Sequence, residues 1–225
     1  MTDQRGPKPY EVEVSVDAGR DLTWEAVTQP DVLRQWFGWD YDGLDAEIRQ
    51  IFVDEATLWA PERMGWADGS TLEVSGDDNR ARVRVTRGGP GPADPERYDA
   101  IEEGWRAFLI QLRFLLSRRP RGPRRTLYLT GETTGRRART LVAGDWERFG
   151  PRTAWTIDGD GHLIVLSSRQ PMDDPAAGRT EIIVSTYGRD DAAFQALNDE
   201  WSKRWDSVAT NPILTTATDP SPSNA

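Results

Sequence analysis

Apolar and polar residues alternate strictly over Tyr10–Val16, with Tyr10, Val12, Val14 and Val16 on one side, which predicts a half-buried strand. Residues 17–20 turn the chain. Asp21 caps a helix carrying Leu22, Trp24, Ala26 and Val27, which Thr28-Gln29-Pro30 ends. A second short helix covers Asp31–Phe37, with Val32, Leu33 and Trp36 inward. Residues 46–53 read as a strand, although Ile48, Ile51 and Phe52 do not alternate strictly. Thr71–Val74 and Ala81–Val85 are strands joined by the polar turn Gly76–Asn79. Asp94 and Pro95 supply the start signals of a long helix. Its Ile101, Trp105, Phe108, Leu112 and Leu115 recur at spacings of four and three, a face that must be buried against a sheet or a second helix.

The second half repeats this grammar less cleanly. Thr126–Thr130, Arg139–Val142, Ala154–Ile157, His162–Ser167 and Glu181–Ser185 are strand-like, and Asp158-Gly159-Asp160-Gly161 is a hairpin signal between two of them. Asp190 or Asp191 caps a last helix with Phe194, Leu197, Trp201, Trp205 and Val208 inward, and Asn211-Pro212 ends it. Each half thus runs several strands and then one amphipathic helix, as an eroded duplication or two α+β units of similar logic would. The expected organisation is a flexible arm over 1–9, an α+β unit over 10–117, and an Arg/Pro-rich linker over 118–125. A second α+β half over 126–210 is either a truncated companion unit or a completion of the first sheet, and a disordered tail covers 211–225.

Composition removes most familiar catalytic machinery. The 225 residues include no cysteine and one histidine, His162, so disulfides, thiolate chemistry and multi-histidine metal sites within the chain are excluded. No metal or cofactor is expected. His162 reads as a strand-start residue beside the hairpin. Asp40, Tyr41 and Asp42 read as a polar turn, although at a pocket mouth they could act as acid or base. Glu102 and Glu103 suit the positive end of the long helix without any catalytic role. The net charge of −9 disfavours nucleic acid as a partner. No window is apolar enough for a membrane span and no secretory leader is visible, so a cytoplasmic location is expected. Basic charge concentrates at residues 113–139, which carry +8, and Arg118, Arg119, Arg121, Arg124 and Arg125 are candidates for a protein-partner surface or a solvated linker. Ten tryptophans leave room for a homodimer interface.

Several ordered stretches resemble the START-like, or SRPBCC, superfamily, closest to the branch of the heat-shock-chaperone ATPase activator. They are Trp24-Glu25-Ala26-Val27-Thr28-Gln29-Pro30, Trp36-Phe37-Gly38, Pro61-Glu62-Arg63-Met64-Gly65-Trp66, Arg82-Val83-Arg84-Val85-Thr86 and Glu103-Gly104-Trp105 with Phe108, Leu109 and Leu112. The resemblance covers residues 10–117, and the segment between Gly38 and Pro61 is shorter than such domains usually have. It implies an α+β helix-grip fold, a curved antiparallel sheet around a long C-terminal helix, here followed by a second β-rich half with a closing helix. It also implies an apolar cavity between sheet and helix, for which Trp59, Trp66, Trp105, Phe108 and Leu112 are the lining candidates. The corresponding functions are a non-catalytic carrier of a small apolar ligand or a partner-binding protein, a co-chaperone-like module tied to stress response, or a polyketide cyclase/aromatase-type enzyme. With no paired acid–base constellation in view, the non-catalytic reading ranks first, and no catalytic residue is assigned.

Overall fold

A computed structural model describes residues 7–89, 94 and 96–217. The first half runs β1 (Tyr10–Val16), α1 (Arg20–Thr28), α2 (Pro30–Leu33), α3 (Leu44–Arg49) continued by a π-helical turn (Gln50–Asp54), β2 (Thr57–Trp59), β3 (Arg63–Gly65), β4 (Ser70–Gly76), β5 (Ala81–Arg87) and α4 (Ala100–Arg118). The second runs β6 (Arg124–Thr133), α5 (Gly135–Arg139), β7 (Glu147–Arg148), β8 (Thr153–Ile157), β9 (Leu163–Ser168), β10 (Gly178–Tyr187), α6 (Asp191–Asp206) and β11 (Thr210–Thr215). The fold is α+β, with two separate antiparallel sheets among the described residues, ordered β1-β5-β4-β3-β2 and β11-β6-β10-β9-β8-β7. Without β11, the second sheet has the connectivity of the first. Within the described residues no helix is long and apolar enough to cross a membrane.

The first sheet is half-buried, as its alternation requires. Val12 lies opposite Val85 and Val14 opposite Val83 on the inner face. Outside, Arg82 meets Glu13 at 3.2 Å and Arg84 meets Glu73 at 2.7 Å, cross-strand pairs that favour this register. The second sheet is covered on both faces. Leu127, Leu129, Ile164, Leu166, Ile182 and Val184 pack under Phe194, Trp201 and Trp205 of α6, while Leu163 and Val165 face α4. Double burial explains why these strands read as apolar runs instead of alternating.

Helix α4 lies between the two sheets. Trp105, Leu109, Leu112 and Leu116 join the core of the first sheet, and Ala107, Ile110 and Phe114 turn to the second. Gln111 is buried in the same interface. Arg124, at the start of β6, is also wholly buried and donates to the carbonyls of Phe37 (2.9 Å) and Gly38 (2.7 Å), to the Gln111 side-chain oxygen and to Ser185 Oγ. One guanidinium therefore ties the loop after α2, the central helix and the second sheet together. Burial pulls its pKa down, and nearby Asp40 opposes this.

Several sequence expectations are corrected here. Residues 46–53 are helical, because Leu44, Ile48 and Phe52 at spacings of four bury one face. Arg139–Val142 is the end of α5 and its following turn, a helix capped by Thr134, whose hydroxyl accepts from the Arg137 N–H. The long helix starts at Ala100 under an Asp99 cap that accepts from Ile101 and Glu102; Pro95 lies outside the described residues. In the N-terminal arm, Lys8 is buried and bridges Glu102 at 2.6 Å. In the C-terminal tail, residues 210–215 form β11, because the edge of β6 offers unpaired backbone groups that a polar segment satisfies as well as an apolar one. Residues 218–225 lie outside the described residues.

Candidate functional site

The N-terminal half of α4 does not close onto the second sheet. A cleft of about 1020 Å³ opens there, walled by α4, by the α3 region and the β3–β4 turn of the first half, and by β6, β9 and β10. The helix stripe that packs so tightly on the first sheet leaves this side to small or distant residues. Gly104 and Ala107 face the gap, and Ile101 stays 53% exposed at its rim.

One wall is aromatic. Trp66 and Trp105 lie 5.9 Å apart, Phe37 and Phe108 4.7 Å apart, and Trp39 stacks on Tyr128 at 3.9 Å. These rings are held from behind. The Trp66 indole donates to the Ile51 carbonyl at 2.8 Å, and Trp105 contacts Phe52 edge-on. Rigid rings give large contact area at little entropic cost.

The opposite end is polar. Glu103, in the first turn of α4, is 6% exposed and lines the cleft. Its Oε2 accepts from the Thr153 hydroxyl at 2.8 Å, and the Arg106 Nε stands 3.7 Å from Oε1. Burial raises its pKa above the ordinary glutamate range, against the Thr153 bond and the Arg106 charge. Tyr98, Arg169, Arg179 and Glu181 gather nearby, with Arg179 paired to Glu181 at 3.1 Å and Arg169 over the Tyr98 ring at 5.6 Å. Burial and the charges of Glu181 and Glu103 hold the Tyr98 hydroxyl above the tyrosine range. Burial and Glu181 do the same for Tyr128.

Of the five sequence-derived lining candidates, Trp66, Trp105 and Phe108 meet at the cleft. Trp59 does not. It is 53% exposed on β2, under the Arg63 guanidinium, because a three-residue edge strand has nothing to pack against. Leu112 does not either, because it faces the first sheet and is fully buried there. The arginine cluster is not one surface. Arg118, Arg119 and Arg121 are exposed, Arg125 pairs with Asp191 at 2.8 Å over the Phe194 ring, and Arg124 is interior.

The other flagged polar residues also have structural places. Asp40 is buried and accepts from the Thr126 N–H, and the Tyr41 hydroxyl donates to Glu47. His162 is buried at the start of β9, its N–H donating to Asp158, and burial lowers its pKa. Glu103, Tyr98, Tyr128, Arg169, Arg179 and Glu181 escaped sequence reasoning as a group. Only the placement of α4 across the second sheet brings them together.

No protein-family model matches the sequence, and no curated protein matches it. Two solved structures align with most of the chain. DynU16, a protein of the dynemicin biosynthetic locus, is 17% identical, with 88% of this chain and 95% of that one covered and a TM-score of 0.31. BexL, a di-domain ARO/CYC protein from the BE-7585A biosynthetic pathway, is 12% identical, with 89% and 95% covered and a TM-score of 0.30. Likeness this loose assigns no shared activity.

Proposed function

We propose that the chain is a helix-grip protein of the START-like kind that takes one small, planar, largely apolar molecule into the cleft between α4 and the second sheet. The observation that carries this reading is the cleft itself, about 1020 Å³ with a rigid aromatic wall and a small set of convergent polar groups. Ligand sites of roughly 300–1,000 Å³ have this make-up. The mechanism is burial of the ligand's apolar surface against indole and phenyl rings, with the polar end fixing orientation.

A second reading, a cyclase/aromatase-type enzyme, is favoured by one specific feature, the buried Glu103 carboxyl in the cleft wall. A carboxyl whose pKa is raised by burial is the kind of group such proton-transfer chemistry uses. The co-chaperone reading has no comparable support, since the arginines meant to form its docking face are dispersed between surface, ion pair and interior.

The test is a titration with the neutral probe N-phenyl-1-naphthylamine, read by its fluorescence gain and by tryptophan quenching. Saturable binding at one probe per chain, weakened about tenfold or ~1.4 kcal/mol in Trp66→Leu, is expected. Equal affinity in both proteins, or no saturation, contradicts the reading.

A further inference from the structure

Glu102 and Glu103 are adjacent buried carboxyls on α4, and the cations around them are unequally shared. Glu102 takes Lys8 at 2.6 Å and the terminal nitrogen of Arg106 at 2.6 Å. Glu103 has the Arg106 Nε at 3.7 Å, beyond hydrogen-bond reach, and the charge of Arg152 nearby, and that Arg106 Nε has no hydrogen-bond partner among the described residues. Thr153 occupies Oε2, and Oε1 has no hydrogen bond among the described residues. Two buried carboxylates side by side disfavour each other's ionisation, and the cations at hydrogen-bond distance are on Glu102. Glu103 is thus the member that keeps a proton most readily, and the direction of its pKa shift agrees.

The rest of the lining bears on ligand charge. Glu47, Glu55, Asp68 and Glu181 join Glu103, against the guanidiniums of Arg169 and Arg179, and Glu181 already engages Arg179. Such a cleft repels a carboxylate or phosphate head. A protonated Glu103 beside rigid rings instead offers one hydrogen-bond donor to an acceptor oxygen.

We propose that Glu103 reads a carbonyl: its carboxylic acid donates a hydrogen bond to a ketone or quinone oxygen of an uncharged planar ligand whose body lies on the aromatic wall. This rests on the cleft being the ligand site, as proposed above. The groups that face Glu103 are Glu102 and Arg106 on its own helix, Tyr98 just before it, Arg152 and Thr153 at the start of β8, and Glu181 on β10. A rise in pH removes the donor and turns the contact repulsive.

The experiment compares 2-acetylnaphthalene with 2-ethylnaphthalene, near-isosteres that differ in the carbonyl, by tryptophan quenching between pH 5 and pH 8. The wild type is expected to prefer the ketone about tenfold at the low end and to lose that preference as pH rises, ~1.4 kcal/mol for the tenfold. Glu103→Gln keeps an N–H donor and should hold the preference without pH dependence. Glu103→Leu should abolish it throughout. A preference that ignores pH in the wild type, or survives in Glu103→Leu, overturns the proposal while leaving the cleft reading intact. Failure of both naphthalenes to bind the wild type refutes the cleft reading, and the proposal falls with it.

Discussion

Replacing Arg124 with methionine removes a side chain that bonds three parts of the interior at once. The substitution keeps an unbranched apolar stem of similar reach, so cavity formation is small. The carbonyl of Gly38 keeps a bond from Gln111 Nε2 at 3.3 Å, and Ser185 Oγ keeps its bond to Gln111 Oε1 at 3.0 Å. The Phe37 carbonyl loses its donor. An orphaned buried carbonyl costs about 1–3 kcal/mol, and each lost charged hydrogen bond about 1.5–3 kcal/mol. Against this stands relief from burying a guanidinium whose direct partners are neutral, worth several kcal/mol. The net expectation is a loss of about 2–4 kcal/mol. With a urea slope of roughly 2 kcal/mol per molar, the unfolding midpoint should fall by about 1–2 M. Equilibrium urea unfolding followed by tryptophan fluorescence measures it. Arg124→Lys, with three donors on one nitrogen and no planar fork, should recover only part of the loss. A midpoint within about 0.3 M of wild type for Arg124→Met would show that desolvation cancels the bonds and that the guanidinium is not what joins the halves.

Other consequences are as direct. Lys8→Met strips buried Glu102 of one of its two close cations and should cost about 3 kcal/mol, read as a drop in Tm of roughly 5–10 °C; an unchanged Tm would return residues 7–9 to the status of a loose arm. Glu103 has a folded pKa above its unfolded value, so the folded state holds the proton longer and stability falls as pH rises from the glutamate range through the raised pKa. The difference in Tm between Glu103→Gln and wild type should therefore grow in favour of the variant with rising pH, and a constant difference would contradict the sign. Arg119 sits at φ 47° just past α4, so Arg119→Gly should stabilise by about 0.5–1 kcal/mol in the same urea assay, and a loss would show that the side chain compensates its backbone strain.

What the sequence reveals follows from where burial is one-sided. The β1 alternation, the β4–β5 hairpin and the α6 stripe each declare a single buried face and are found where expected, and the Asp158–Gly161 signal marks the β8–β9 hairpin, whereas α4 starts at Ala100 and is buried on two sides. Residues 46–53 read as a strand although Ile48, Ile51 and Phe52 do not alternate strictly, and the helical spacing of Leu44, Ile48 and Phe52 is the stronger signal. Strand β11 has only Ile213 and Leu214 as apolar residues, too few for a pattern, and pairing with β6 places it with Leu214 against the core under α6. The site divided the same way. Trp66, Trp105 and Phe108 were legible as aromatic positions, but Glu103 was accounted for by the helix dipole, and its second environment comes from Thr153 fifty residues on.

Occupation of the aromatic cleft by one ligand is read in the indole N–H region of a ¹⁵N NMR spectrum during titration with 2-acetylnaphthalene. Trp39, Trp66 and Trp105 are expected to shift together and stop at one equivalent, while Trp201 and Trp205, on the far face of the second sheet, stay still. Shifts confined to exposed Trp59, or no saturable shift at the cleft tryptophans, would contradict it.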